Sequence, residues 1–197
     1  MNLSESQTLT NLLRAFAGES QARNRYTFAA SAAKKEKLPC IQEVFLYTAG
    51  QEKEHAEIFF NHLKEAQMET AVITDAGYPI DLQNDVLSLL KSAHHNEMEE
   101  FSSAYPAFAK TARDEGFNNI ARSFELIAPI EKTHGERFEA LAQLLESGKL
   151  FVSDVECGWI CLNCGYVFRG FEAPPSCPVC SHDRGYFVRL SMSPWSI

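Results

Sequence analysis

Glu52-Lys53-Glu54-His55 and Glu131-Lys132-Thr133-His134 are two copies of Glu-x-x-His, 79 residues apart. Residues three apart on an α-helix share a face, so each copy presents a carboxylate and an imidazole about one turn apart. Such a pair can converge on one metal ion, and two such helices facing each other can hold two. Glu19, Glu97 and Glu100 are further carboxylates set among apolar or small residues, as Glu19 is among Phe16, Ala17 and Ala22. Burying a carboxylate without a partner is costly, and metal coordination offsets that cost. Glu19 precedes Glu52 by 33 residues and Glu97 precedes Glu131 by 34, so the two halves of this region repeat. Glu100 breaks the repeat, because Ala22 holds the matching position, and the extra carboxylate makes one ion's surroundings different.

A single Glu-x-x-His is as readily a solvated helix face; two in register with central glutamates at repeat spacing favour the metal reading. Tyr26 and Tyr105 follow Glu19 and Glu97 by seven and eight residues, on the same face two turns along. Each is either a core tyrosine or a phenol that hydrogen-bonds a ligating carboxylate. Lys53, Glu54, Glu57 and Glu99 read as solvent-facing, and His62, His94 and His95 as polar surface rather than ligands.

Cys161-Leu162-Asn163-Cys164 and Cys177-Pro178-Val179-Cys180 are two Cys-x-x-Cys knuckles with twelve residues between them. Four thiolates in a tetrahedron suit zinc or a single iron, and spacing alone does not separate the two. The aromatic residues Trp159, Tyr166, Phe168 and Phe187, beside a candidate redox centre, favour iron. Cys40 and Cys157 are left over and read as free thiols.

Helical signals run through the first 147 residues. A first helix is expected after the N-cap Ser6, through Leu12, Phe16, Arg23 and Phe28, ending at Leu38-Pro39; a second starts at Pro39 and reaches about Gln67. Glu69 to Ile80 carry turn chemistry and form a long crossover. A third helix is capped near Asp81 and ends near Gly116, and a fourth covers about Asn118 to Glu146. Pro129 is expected to kink or bulge the fourth helix, and Pro106 the third. Four long helices with one long central connection match the ferritin-like bundle, and the glutamate and histidine pattern matches the ligand set of di-iron and di-manganese carboxylate bundles.

From Phe151 onward Gly, Pro, Cys and aromatic residues crowd together, and a small β/loop domain is expected there. Its short length calls for a metal staple. The domains are set at 1–148 and 149–197.

The chain has 197 residues, 45% hydrophobic and 22% charged, a composition that folds. Its formal charge of −8 with no basic stripe argues against nucleic-acid binding. No apolar run approaches the roughly 18 residues that cross a bilayer. The expected location is the cytoplasm.

These motifs resemble the rubrerythrin family. The resemblance runs through Phe16-Ala17-Gly18-Glu19-Ser20-Gln21-Ala22-Arg23-Asn24-Arg25-Tyr26, Gln51-Glu52-Lys53-Glu54-His55-Ala56-Glu57, Tyr105-Pro106-x-Phe108-Ala109 and the Cys-x-x-Cys-Gly and Cys-Pro-x-Cys knuckles of a rubredoxin-like domain. It implies a di-iron peroxidase that reduces hydrogen peroxide to water in oxidative-stress defence. Electrons would arrive through the cysteine-bound iron, from rubredoxin or another redox protein with its NAD(P)H-dependent reductase. It implies a homodimer in which the cysteine iron of one subunit lies near the di-iron site of the other. Glu19, Glu52, His55, Glu97, Glu100, Glu131 and His134 would be the di-iron ligands, with Glu52 and Glu131 bridging. One iron would exchange Glu100 for His55 on reduction, and Cys161, Cys164, Cys177 and Cys180 would hold the third iron. Pro129, the Leu38-Pro39-Cys40 turn and Ser181 after the last cysteine depart from the family pattern. The rival functions are a ferritin-like ferroxidase or iron-handling protein, and a structural or binding module with zinc at the cysteines.

Overall fold

A computed structural model describes residues 2–67, 72 and 74–193. After a 3₁₀ turn, α1 (Gln7–Lys35) and α2 (Pro39–Glu65) form an antiparallel pair. Ser6 Oγ accepts the Leu9 N–H at 3.1 Å and starts α1, and Pro39 occupies the first turn of α2. The turn between them closes with the Leu38 N–H on Ala33 O at 2.9 Å and Lys37 at φ 58°, a conformation that Gly116 and Gly148 supply after the later helices.

The second pair is α3 (Val86–Glu99), continued through a π-turn (Glu100–Ala104) into α4 (Tyr105–Asp114), against α5 (Asn118–Glu146). The cap of α3 is Asp85, whose Oδ1 accepts the Ser88 N–H at 2.8 Å, and not Asp81. Asp81 is instead a tether: it receives Arg25 Nη1 at 3.2 Å and Asn96 Nδ2 at 3.2 Å, pinning the crossover to α1 and α3. The described crossover residues before Asp85 have no helical structure, and residues 68–71 and 73 lie outside the described set.

The expected disturbance at Pro106 is the π-turn, in which the Tyr105 N–H bonds Glu100 O. None interrupts α5 at Pro129. That proline faces solvent, as do Glu125 and Leu126 on the preceding turn, so water can satisfy the carbonyl it leaves unbonded. Phe28 lies on the solvent side of α1 and is 69% exposed.

The C-terminal strand domain is an antiparallel sheet of order β2-β1-β3, from β1 (Val152–Cys161), β2 (Val167–Glu172) and β3 (Phe187–Arg189). It docks on the α1–α2 turn. Ile160 and Val188 share a buried cluster with Ala33, Cys40 and Ile41, and Gly185 lies so close that a Cβ there would be 2.5 Å from Lys37 O. No described helix is long and apolar enough to cross a membrane.

Candidate metal centres

The mid-sections of the helices bring Glu19, Glu52, His55 and Glu131 into one group of converging ligand atoms, and Glu52, Glu97, Glu131 and His134 into another. His55 Nδ1 lies 2.9 Å from Glu131 Oε1, 3.2 Å from Glu52 Oε2 and 3.8 Å from Glu19 Oε2. His134 Nδ1 lies 2.9 Å from Glu131 Oε2, 3.0 Å from Glu52 Oε1 and 3.7 Å from Glu97 Oε2. Glu52 and Glu131 therefore turn one oxygen to each side, as a bridging carboxylate must.

These atoms fit a metal pair better than they fit each other. Glu19 Oε2, both oxygens of Glu52 and of Glu131, Glu97 Oε2 and Nδ1 of both histidines are buried without a properly directed hydrogen bond. Eight such orphans around one point would be prohibitive unless cations satisfied them. The four carboxylates of the two groups carry the charge that two divalent ions neutralise. Without ions, burial and then the charge on Glu52 push the Glu97 carboxyl up to about 8. Burial likewise holds Glu19 and Glu100 well above the usual carboxylate range.

Tyr26 donates to Glu97 Oε1 and Tyr105 to Glu19 Oε1. Burial, reinforced by the surrounding carboxylates, raises both phenols well above their ordinary value, so they stay protonated donors. Both readings of these tyrosines hold at once: each is a core residue and each binds a carboxylate of the centre. The π-turn makes their positions equivalent. At about 100° per residue, the eight residues from Glu97 to Tyr105 overshoot two turns by about 80°. A π-turn absorbs one extra residue and returns Tyr105 to the face of Glu97. The same extra residue explains the spacing of 34 in the second half against 33 in the first.

Glu100 lies in neither group. It starts the π-turn and, with Arg14, Tyr78, His95 and Tyr105, lines a cleft of about 840 Å³ beside the centre. After burial, the charge of Glu19 does most to raise it. Lys53, Glu54, Glu57, Glu99 and His95 are exposed as expected, while His62 and His94 are half-buried and bond Ser123 and the Gly135 carbonyl.

Two features of the centre escape a motif search. Phe45 and Phe138 pack with Tyr26, and Phe59 and Phe124 with Tyr105, giving an aromatic plug at each end of the centre. The signal was available: these phenylalanines stand seven residues before and after Glu52 and Glu131. The other is Gln51, whose Oε1 lies 3.1 Å from His134 Nε2.

In the strand domain the four cysteine sulfurs lie within 4.8 Å of one another, with Cys161 to Cys180 at 3.7 Å and Cys164 to Cys177 at 3.6 Å. A tetrahedron with metal–sulfur bonds of about 2.3 Å has edges of about 3.8 Å, so one ion fits. The knuckles match: the Gly165 N–H bonds Cys161 O at 2.8 Å and the Ser181 N–H bonds Cys177 O at 2.9 Å. Gly165 takes φ 78° and Ser181 φ 62°. Trp159 and Phe187 are fully buried against Cys161 and Cys177, with Tyr166 and Phe168 at the edge. Cys40 and Cys157 are free thiols, and burial pushes Cys40 up to about 12.

Residues 10–142 match the family model for rubrerythrin, and residues 159–188 match that for the rubrerythrin rubredoxin-like domain. The chain belongs to the rubrerythrin family. It is 47% identical over 191 residues to rubrerythrin-1 of Clostridium acetobutylicum, covering 96% of this chain and 97% of that one. It is 39% identical over 192 residues to rubrerythrin of Nitratidesulfovibrio vulgaris, covering 98% of each. Among solved structures it is similar to nigerythrin in a fully reduced, all-ferrous state, with TM-score 0.63, 28% identity and coverage of 96% and 93%. The bundle also superposes on a bacterioferritin of Desulfovibrio desulfuricans, with TM-score 0.64 and 22% identity over 73% of this chain and 82% of that one, which supports the ferritin-like fold. The cofactors that go with a rubrerythrin and with these two ligand sets are an iron pair in the bundle and one iron at the four thiolates.

Proposed function

We propose that this chain is a cytoplasmic peroxidase that reduces hydrogen peroxide to water with two electrons and two protons. The electrons pass through the cysteine site from an NAD(P)H-linked reductase, directly or by way of rubredoxin. The observation that carries this reading is the sharing of Glu52 and Glu131 between two adjacent ion positions, in a chain that also holds a one-ion thiolate site. Glu19, Glu52, His55, Glu97, Glu131 and His134 are the proposed ligands of the pair, with Glu100 in reserve on the cleft wall. Cys161, Cys164, Cys177 and Cys180 are the proposed ligands of the third ion. When bound, a ferrous pair supplies Lewis acidity and two electrons for breaking an O–O bond.

The protein's own groups set the conditions for that chemistry. Glu100 and Tyr105 line the cleft through which a small neutral oxidant enters. Tyr26 and Tyr105 hold phenolic protons at the outer oxygens of Glu97 and Glu19, where they steady each carboxylate and stand ready to share a proton. The aromatic plugs keep bulk water from the two ends of the centre.

The cysteine domain docks on the α1–α2 turn, and Glu52 lies about 20 Å along α2 from Pro39 at about 1.5 Å per residue. Electron transfer weakens steeply over such a span. This favours a homodimer in which the cysteine site of one subunit serves the bundle of the other, and a division of labour near residue 148.

The test is metal content and the visible spectrum of protein purified without oxygen, before and after one equivalent of peroxide. About three irons per chain with prompt oxidation of the reduced bundle is expected. A colourless protein with one zinc, still inert after reconstitution with ferrous iron, would refute the reading.

A further inference from the structure

The internal repeat relates the two ion positions, yet their histidines are held differently. His134 Nε2 faces Gln51 Oε1 at 3.1 Å. An amide oxygen can only accept, so this contact keeps a proton on Nε2, and Nδ1, placed among Glu52, Glu97 and Glu131, is the nitrogen that gives up its proton to an ion. Among the described residues, His55 is engaged through Nδ1 alone. The position that matches Gln51 in the second half is Ile130, which has no acceptor to offer. Gln51 is itself only half-buried, so packing alone does not account for its place at the centre.

We propose that Gln51 is a positioning residue that locks the ring of His134 and makes the Glu97/His134 position the tighter of the two. The proposal rests on the two-ion reading of the bundle. It acts through His134, because its Oε1 meets the ring at Nε2 while Nδ1 is the atom turned towards the carboxylates. Partners that orient a metal-bound imidazole typically change metal affinity about 10- to 100-fold, so removal of this one should weaken one ion of the pair by that factor and spare the other.

The full chain, with its cysteine site filled, is titrated anaerobically with ferrous iron by calorimetry, as wild type, Gln51→Ile and Gln51→Glu. In parallel, the fully zinc-substituted proteins are read by NMR for imidazole N–H protons that exchange slowly with solvent. The expected wild type binds two ions unequally and shows one protected Nε2–H. Gln51→Ile should lose that proton and weaken the tighter ion about 10- to 100-fold. Gln51→Glu, which keeps an acceptor, should retain both. A Gln51→Ile protein with wild-type affinities and an intact N–H overturns the proposal. So does equal weakening of both ions without rescue by Gln51→Glu, which would mark a general disturbance of the helix. Fewer than two bundle ions in the wild type would instead sink the two-ion reading, and this inference with it.

Discussion

Tyr26 on α1 donates its phenolic hydrogen to Glu97 on α3, although Glu19 is the candidate ligand nearest to it along its own helix. Tyr105 makes the reciprocal bond to Glu19, so each phenol serves the carboxylate of the opposite half of the repeat. Both bonds are buried, and each ties the first helix pair to the second at the level of the centre. Tyr26→Phe leaves Glu97 Oε1 buried without its donor. We expect the metal-free chain to lose about 1–3 kcal/mol of stability. The loaded protein should hold the ion beside Glu97 about 10-fold more weakly or worse. Thermal unfolding and an anaerobic iron titration check the two effects, and unchanged iron affinity would show that the phenol is packing alone.

Much of the centre is legible in the sequence because helical geometry turns spacing into direction. Glu52 and His55, or Glu131 and His134, must share a face wherever their helices lie, and the repeat sets them opposite each other. Caps and turns such as Ser6, Pro39 and Gly148 made the helix ends equally readable. What stayed hidden depends on contacts across helices. Asp81 has the chemistry of a cap, and only the fold shows it engaged by Arg25 and Asn96 while Asp85 does the capping. The π-turn was present as an unexplained difference between spacings of 33 and 34. Gln51 acts on a histidine of another helix, and no spacing rule along one chain reports that.

Cys161→Ser tests whether delivery of electrons is separate from their use, as the proposed relay requires. Cys161 is fully buried beside Trp159 and is one corner of the thiolate tetrahedron, while the bundle groups contain no residue of the strand domain. The variant should lose the visible absorption of the thiolate-bound iron and all turnover driven by NAD(P)H and the reductase. A chemically prereduced bundle should still consume one equivalent of peroxide. Loss of that single turnover in stopped-flow measurements would count against a pure relay role for the cysteine site.

The metal-free centre carries a pH signature. Burial, with the Glu52 charge, lifts Glu97 from 4.5 to about 8. Burial opposes a charged His134, but Glu131, Glu52 and Glu97 outweigh it and lift the imidazole from 6.5 to about 12. Between each pair of values the folded chain holds a proton that the unfolded chain has released, so stability falls as pH rises. For Glu97 the loss begins above about pH 4.5 and is complete above 8; for His134 it begins above about 6.5. Glu52, lowered to about 2 where both histidines overcome the effect of burial, adds a stability that is constant across that window and is lost only as pH falls from about 4.5 towards 2. The metal-free protein should therefore melt at progressively lower temperature from pH 5 to pH 8. The loaded protein, whose ligating histidines carry no extra proton while the unfolded chain takes one up at each below about pH 6.5, should show the opposite slope and gain stability from pH 5 to about pH 7. A metal-free midpoint that rises with pH would contradict the buried proton inventory.

Ser181 occupies in the second knuckle the left-handed conformation that Gly165 occupies in the first, with the same N–H to cysteine carbonyl bond. A side chain in that region costs about 1–2 kcal/mol, whereas glycine adopts it freely. Glycine also gains freedom in the unfolded chain, which returns roughly half of the advantage. Ser181→Gly should thus stabilise the metal-loaded strand domain by about 0.5–1 kcal/mol, read as a shift in the denaturant midpoint of the thiolate–iron absorption. Ser181→Ala, which keeps the Cβ and discards only the hydroxyl, should leave that midpoint nearly unmoved. If the two variants shift it alike, the serine hydroxyl rather than backbone strain governs the knuckle.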